Sequence, residues 1–124
     1  METNGKRKKR SDRNHLIYLL TSPTGKRYLG VTYVRGRATK GSLRQRWLTH
    51  CRNATQYLYS THISVCIREE GAENFKKEIL VVVRGKAEAH ELERKLITSF
   101  QPELNMEGMG RKKQSIKQKE EIQE

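Results

Sequence analysis

The sequence predicts an α+β domain in which a three-stranded, largely antiparallel sheet is flanked by helices. Three observations lead there. Two strand-like apolar runs lie on either side of a Pro/Gly turn, a third run rich in β-branched residues comes later, and stretches with helical spacing of apolar side chains fall between and after them. The order is strand, strand, helix, helix, strand, helix, and 124 residues fit one such domain.

The first strand is expected at His15 to Leu20, the turn in SPTGK after it, and the second strand at residues 27–34, so the pair reads as a hairpin. Residues 35–41 form a glycine-containing basic loop. Ser42 is the expected N-cap of a helix running to about Ala54, with Leu43, Trp47, Cys51 and Ala54 as its apolar stripe. A shorter helix is expected from His62 to Glu70, stopped by Gly71. Phe75 to Val83 carries β-branched residues facing both ways, which predicts a central strand. After the Arg84-Gly85-Lys86 turn, Ala87 to Phe100 reads as the clearest helix, closed by Pro102. Residues 1–14 read as a disordered basic leader, 15–105 as the folded domain, and 106–124 as a charged tail.

The chain carries 26 Lys and Arg against 14 Asp and Glu, a net charge of +12. Residues 15–105 alone keep a net +7, so the folded part itself suits a polyanion partner. The basic run Lys6 to Arg10 suits a nucleic-acid arm or a nuclear signal. No apolar run is long enough to span a membrane, and the leader has no apolar core, so a soluble intracellular protein is expected, nuclear in a eukaryotic cell. Cys51 and Cys66 are too isolated for a zinc site and read as small buried hydrophobes.

Acid usage narrows the chemistry. The only Asp is Asp12, in the leader, and every carboxylate of residues 15–105 is a Glu. Paired-ion nucleases gather several carboxylates; here one ion with few protein ligands is the better expectation. On the last helix, positions 89, 93, 96, 97 and 100 share a face, which places Glu93 among Ala89, Leu96, Ile97 and Phe100. An inward carboxylate calls for a partner: a metal ion, or an internal salt bridge with Arg46. Glu88 and Glu91 point to the polar side. On the first helix Arg46 and His50 are neighbours at i, i+4, a fork for phosphate beside an imidazole. Tyr18 and Tyr28 on the hairpin would supply water-orienting hydroxyls if they converge on the same place.

Over residues 15–105 the sequence resembles the GIY-YIG nuclease family. Leu16-Ile17-Tyr18 matches its first motif and Tyr28-Leu29-Gly30 its second. Arg46-Trp47-Leu48-Thr49-His50 looks like its Arg-Trp-x-x-His segment, and Gly71 to Phe75 like its G-x-x-x-F approach. Glu93, with Ile97 and the closing Pro102-Glu103-Leu104-Asn105, is similar to its catalytic Glu helix and terminal Asn. The resemblance implies a metal-dependent endonuclease that hydrolyses DNA to 5′-phosphate and 3′-hydroxyl ends, using one Mg²⁺ for which Mn²⁺ can substitute. It implies Glu93 as the metal ligand, Tyr18 and Tyr28 beside the scissile phosphate, Arg46 on the developing charge, His50 assisting at the edge, and Gly30 and Asn105 as supports of the site. The alternative is a non-catalytic nucleic-acid-binding protein on the same fold.

Two departures stand out. Leu16 occupies the usual Gly of the first motif, and the stretch from Gly30 to Arg46 is lengthened by a Val34–Gly41 loop. That loop's Arg35, Arg37 and Lys40 are expected to contact DNA. Relatives with a further His or Tyr after the first helix leave Tyr57, Tyr59 and His62 as three open choices. Oligomeric state is likewise open, a dimer being one way for one site to cut both strands.

Overall fold

A computed structural model describes residues 12–105. The expected charged tail and all but the last three residues of the basic leader lie outside the described residues. The elements are β1 (Asn14–Thr21), β2 (Arg27–Tyr33), α1 (Thr39–Thr55), α2 (His62–Glu70), β3 (Lys76–Arg84) and α3 (Lys86–Phe100), with 3₁₀ turns at Ala72–Asn74 and Glu103–Asn105. The architecture is α+β, and the sheet has the order β2-β1-β3 with both pairings antiparallel.

β1 is the central strand, and its sequence shows why. Six consecutive residues, His15 to Leu20, are buried, so both faces of the strand are covered. Leu16, Tyr18 and Leu20 join the larger core with Trp47 of α1, Ile63, Cys66 and Ile67 of α2, and Phe75. Ile17 and Leu19 point the other way and, with Leu29, meet Leu92, Leu96, Ile97 and Phe100 of α3. The molecule is thus layered, with α1 and α2 on one face of the sheet and α3 on the other.

The expectation that the third strand is central does not hold: β3 is an edge strand. Its β-branched residues reach both faces because the pairing shifts register between Ile17 and Tyr18. Tyr18 lies opposite Ile79 but Ile17 opposite Val81, leaving Leu80 as the extra residue of a bulge. Ile79 packs on the α1/α2 side and Val81 on the α3 side, while Leu80 and Val82 stay exposed.

A second correction concerns Ser42. The N-cap of α1 is Ala38, and the helix begins at Thr39, four residues earlier than the basic loop suggested. Ser42 already donates its backbone N–H to the Ala38 carbonyl within the helix. Its buried hydroxyl accepts instead from the Arg35 N–H at 2.9 Å, tying the loop to the helix. α2 keeps its expected bounds and ends at Gly71, whose φ of 89° suits glycine. α3 ends where Gln101 turns left-handed, ahead of the buried Pro102.

The last turn closes on the sheet through a single side chain. Asn105 accepts from the Leu29 N–H at 2.7 Å and donates to the Leu29 carbonyl at 2.9 Å, so its amide stands in for one residue of a neighbouring strand along β2. Both bonds are buried. Asn105→Ala leaves two buried backbone groups unpartnered and is expected to lower stability by about 2–4 kcal/mol. Asn105→Asp keeps the acceptor alone and should fall between wild type and Ala. Urea denaturation of the three chains measures this, and an Ala variant as stable as wild type would show that water replaces the amide without loss.

Candidate functional site

β2 is an edge strand, and helices lie on both faces of the sheet, so α1 and α3 can meet across that edge. A cleft of about 370 Å³ runs along it, walled by Arg46 of α1, by Lys86 and His90 of α3, and by His15, Val31 and Tyr33 of the strands. A second cleft of about 230 Å³ shares Arg46 and Tyr33 and adds Arg35, Gln45 and Arg52. Arg46 is the side chain common to both from outside the sheet.

Behind Arg46 lies a buried polar chain. Tyr18 is 1% exposed, and its hydroxyl is 2.8 Å from Nε2 of His50 and 3.3 Å from Nε of Arg46. A guanidinium only donates, so the Tyr18 oxygen accepts from Arg46, while its bond with Nε2 of His50 takes its direction from the imidazole's tautomer. Tyr28, half-buried, sets its ring edge-on to His50 at 5.2 Å and bonds Arg46 as well. Three elements, β1, β2 and α1, thus hold one guanidinium, and the i, i+4 spacing of Arg46 and His50 lets both reach the same hydroxyl.

Burial and neighbours set the charge states. Burial, then Tyr28, pushes the Tyr18 phenol well above its usual range. Burial first and the Arg46 charge second bring His50 down to about 3, so its imidazole is neutral at physiological pH. Burial alone would lower Arg46, but Tyr18 and Tyr28 outweigh it, and the guanidinium is held above its ordinary value. The interior partners are neutral and the group at the cleft carries the charge.

Gly30 is required where it stands. It pairs with Tyr18 across the β1–β2 ladder, and an added Cβ would come within 2.5 Å of the Tyr18 oxygen and 2.6 Å of the ring carbon that bears it. The Tyr18 ring lies in the space a side chain would fill.

α3, which lines the cleft through Lys86 and His90, carries Glu93 one turn beyond His90. The Glu93 side chain is 18% exposed against 61% for Glu91, and its charge is felt at Tyr18. Oε1 of Glu93 lies 3.3 Å from Nδ1 of His90, one turn earlier. Among the described residues no group of three or more His, Cys, Asp or Glu side chains could cage a metal. A cation at Glu93 would have its shell completed by water and phosphate oxygens, which is how Mg²⁺ is commonly held at phosphate-transfer sites. A half-sheltered carboxylate bonded to a side chain of an open cleft fits that demand.

The structure gathers Tyr18, Tyr28, Gly30, Arg46 and His50 directly, with Asn105 anchoring Leu29 between Tyr28 and Gly30. Arg35 joins the second cleft, whereas Arg37 and Lys40 are exposed outside the walls of both. Tyr57 and Tyr59 set their rings at a tilt, 6.2 Å apart, on the surface beyond the end of α1, and His62 is exposed at the start of α2. Cys66 is free and buried in the core, and Cys51 is free and half-buried. The residue missed from sequence is His90; its i, i+3 spacing from Glu93 was the available signal.

The family described as the GIY-YIG catalytic domain matches residues 14–107, most of the chain. No curated protein and no solved structure matches it. No helix among the described residues is long and apolar enough to cross a membrane.

The depressed His50 has a consequence for stability. The unfolded chain takes up a proton at this imidazole near its ordinary 6.5, and the folded chain only near 3. The contribution is therefore complete above about pH 6.5 and is lost progressively as pH falls from there toward 3, at up to about 1.4 kcal/mol per pH unit. His50→Gln should show a flatter fall between pH 6 and 4 in urea denaturation, even though it starts less stable. Equal slopes in the two chains would mean that folded His50 is protonated in that range.

Proposed function

This chain belongs to the GIY-YIG family, and from that premise we propose that it is a metal-dependent endonuclease hydrolysing DNA phosphodiester bonds. The observation that carries the proposal is Arg46, held by two tyrosines in the wall of a basic cleft that also takes in His90, the hydrogen-bond partner of Glu93. With a net charge of +12, the chain suits a polyanion.

The residues divide the work. The guanidinium of Arg46 is held by Tyr18 at Nε and by Tyr28, and its remaining N–H donors suit phosphate oxygens. Charge that builds on the phosphorus oxygens in the transition state meets a cation that is already oriented. Tyr28 is the more accessible tyrosine and is placed to orient the attacking water. The buried Tyr18 and the neutral His50 act as positioning residues that fix Arg46 and the Tyr28 side of the cleft. Glu93 holds the divalent ion, Mg²⁺ with Mn²⁺ able to substitute, which when bound polarises the phosphate and favours departure of the 3′ oxygen. The products are a 5′-phosphate and a 3′-hydroxyl. Arg35, with the more distant Arg37 and Lys40, extends the basic surface along the DNA backbone.

Plasmid nicking in Mg²⁺ that stops in EDTA, with the product ends mapped, tests the reaction. Binding without nicking under any divalent ion would leave a nucleic-acid-binding module on this fold. Arg46→Lys keeps the charge and loses the fork that serves tyrosine and phosphate together. It should reduce kcat by about 100-fold or more while DNA affinity changes little. Near wild-type turnover would make Arg46 a simple phosphate anchor.

Glu93→Gln and Glu91→Gln change net charge equally but stand on different sides of α3. Glu93→Gln should abolish metal-dependent nicking with DNA binding intact or slightly tighter, and Glu91→Gln should stay active. A dead Glu91 variant beside an active Glu93 variant would overturn the site.

A further inference from the structure

We propose that His90 is a second protein ligand of the divalent ion, beside Glu93, and that its nitrogen makes the site favour a cation that tolerates nitrogen, Mn²⁺, over Mg²⁺. The proposal rests on the reading of Glu93 as the metal-holding carboxylate.

The geometry is close to that of a chelate. Nδ1 of His90 and Oε1 of Glu93 are 3.3 Å apart on successive turns of α3. Adjacent ligands at bond lengths of about 2.1–2.2 Å and right angles around an ion lie about 3 Å apart. An ion could therefore bridge the two atoms with a few tenths of an ångström of movement. A carboxylate only accepts, so in the ion-free site the hydrogen between them belongs to Nδ1. An entering cation takes the place of that hydrogen as the ring's proton moves to Nε2.

The surroundings leave room for the rest of a coordination shell. The imidazole is 41% exposed and forms part of the wall of the 370 Å³ cleft, with Arg46 and Lys86 as further walls. Those cations suit the phosphate that would complete the shell. The cleft therefore sets His90, bonded to Glu93, beside the groups that would hold the ion's third partner.

The chemistry sets the preference. Mg²⁺ strongly favours oxygen and keeps its waters, so an imidazole beside Glu93 adds little for it. Mn²⁺ and later divalent ions accept imidazole nitrogen, with affinity rising along the first-row series. A His-x-x-Glu pair on one helix face is also an ordinary surface hydrogen bond. The two readings differ in what happens when the ion binds.

The test uses the full chain without DNA. Mn²⁺ binding is followed by loss of the aqueous Mn²⁺ EPR signal, Mg²⁺ binding by competition, and nitrogen ligation by pulsed EPR. Wild type should bind Mn²⁺ more tightly than Mg²⁺ and show coupling to one ¹⁴N nucleus. His90→Gln and His90→Ala should lose the coupling and weaken Mn²⁺ by about tenfold or more, with Mg²⁺ affinity changing by less than about twofold. No ¹⁴N coupling in wild type overturns the proposal, as does an equal loss for both cations, which is what a positioning role for His90 produces. Glu93→Gln separates the two levels: it should weaken both cations. If it does so while the His90 variants match wild type, only the nitrogen ligand is wrong. If Glu93→Gln binds both ions as wild type does, the reading of Glu93 fails and this proposal with it.

Discussion

The hydroxyl of Tyr18 is the constraint on which the rest of the site depends. A phenol oxygen buried to this degree must find partners within the protein. It finds two, the Nε of Arg46 and the Nε2 of His50, both on α1 and one turn apart. That fixes the rotation of α1 about its own axis, since only one face of the helix can present both groups to β1 while Leu43 and Trp47 enter the core. It also fixes β2, because the Tyr18 ring covers the strand opposite and only a glycine at position 30 leaves space for it. A larger residue there would disturb the hydroxyl before it disturbed the sheet.

From this follows the position of the site at a sheet edge. β1 is buried on both faces and cannot touch a substrate as large as a duplex. β2 is at the edge, α1 and α3 lie on opposite faces of the sheet, and side chains of both line the cleft at the Val31–Tyr33 end of β2. The outer side of β2 would otherwise be an open row of backbone donors and acceptors. Asn105 occupies part of that row at Leu29, between Tyr28 and Gly30. The same amide therefore blunts the edge and holds the strand that carries Tyr28.

Elements with a single periodicity were readable from the sequence: the hairpin, α2 with its terminal Gly71, and α3 with Glu93 on its inner side. Failures came where two signals overlapped. The run Ile79 to Val83 has the composition of a two-faced central strand, but a one-residue bulge produces the same composition at an edge. Ser42 has the right chemistry for an N-cap and sits near a helix start, yet its hydroxyl serves the preceding loop. At the site, Arg46, His50 and Tyr18 could each be singled out. Their mutual bonds could not, because Tyr18 and His50 are 32 residues apart and nothing local encodes the contact. His90 escaped for the opposite reason: a His three residues before a Glu on a helix is a common solvated pair, and only the cleft beside it makes it more.

The distribution of charge explains how a mostly buried network can serve a polyanionic substrate. Burial pushes Tyr18 toward its protonated form and His50 toward its unprotonated one, so both interior partners are neutral across the physiological range. A protonated His50 would add a second positive charge beside Arg46 without sufficient solvent to screen it. The cation that remains is at the cleft, and the phenols that hold it raise its affinity for its proton. Glu93 brings negative charge beside His90 of the cleft, where, for the proposed function, a carboxylate would oppose DNA unless an ion screens it. In the proposed function Arg46 and Lys86 attract the phosphate, and Glu93 becomes favourable only when a divalent cation lies between it and the substrate. On this reading, cation and DNA reinforce each other's binding, because each removes the repulsion or supplies the oxygens that the other lacks.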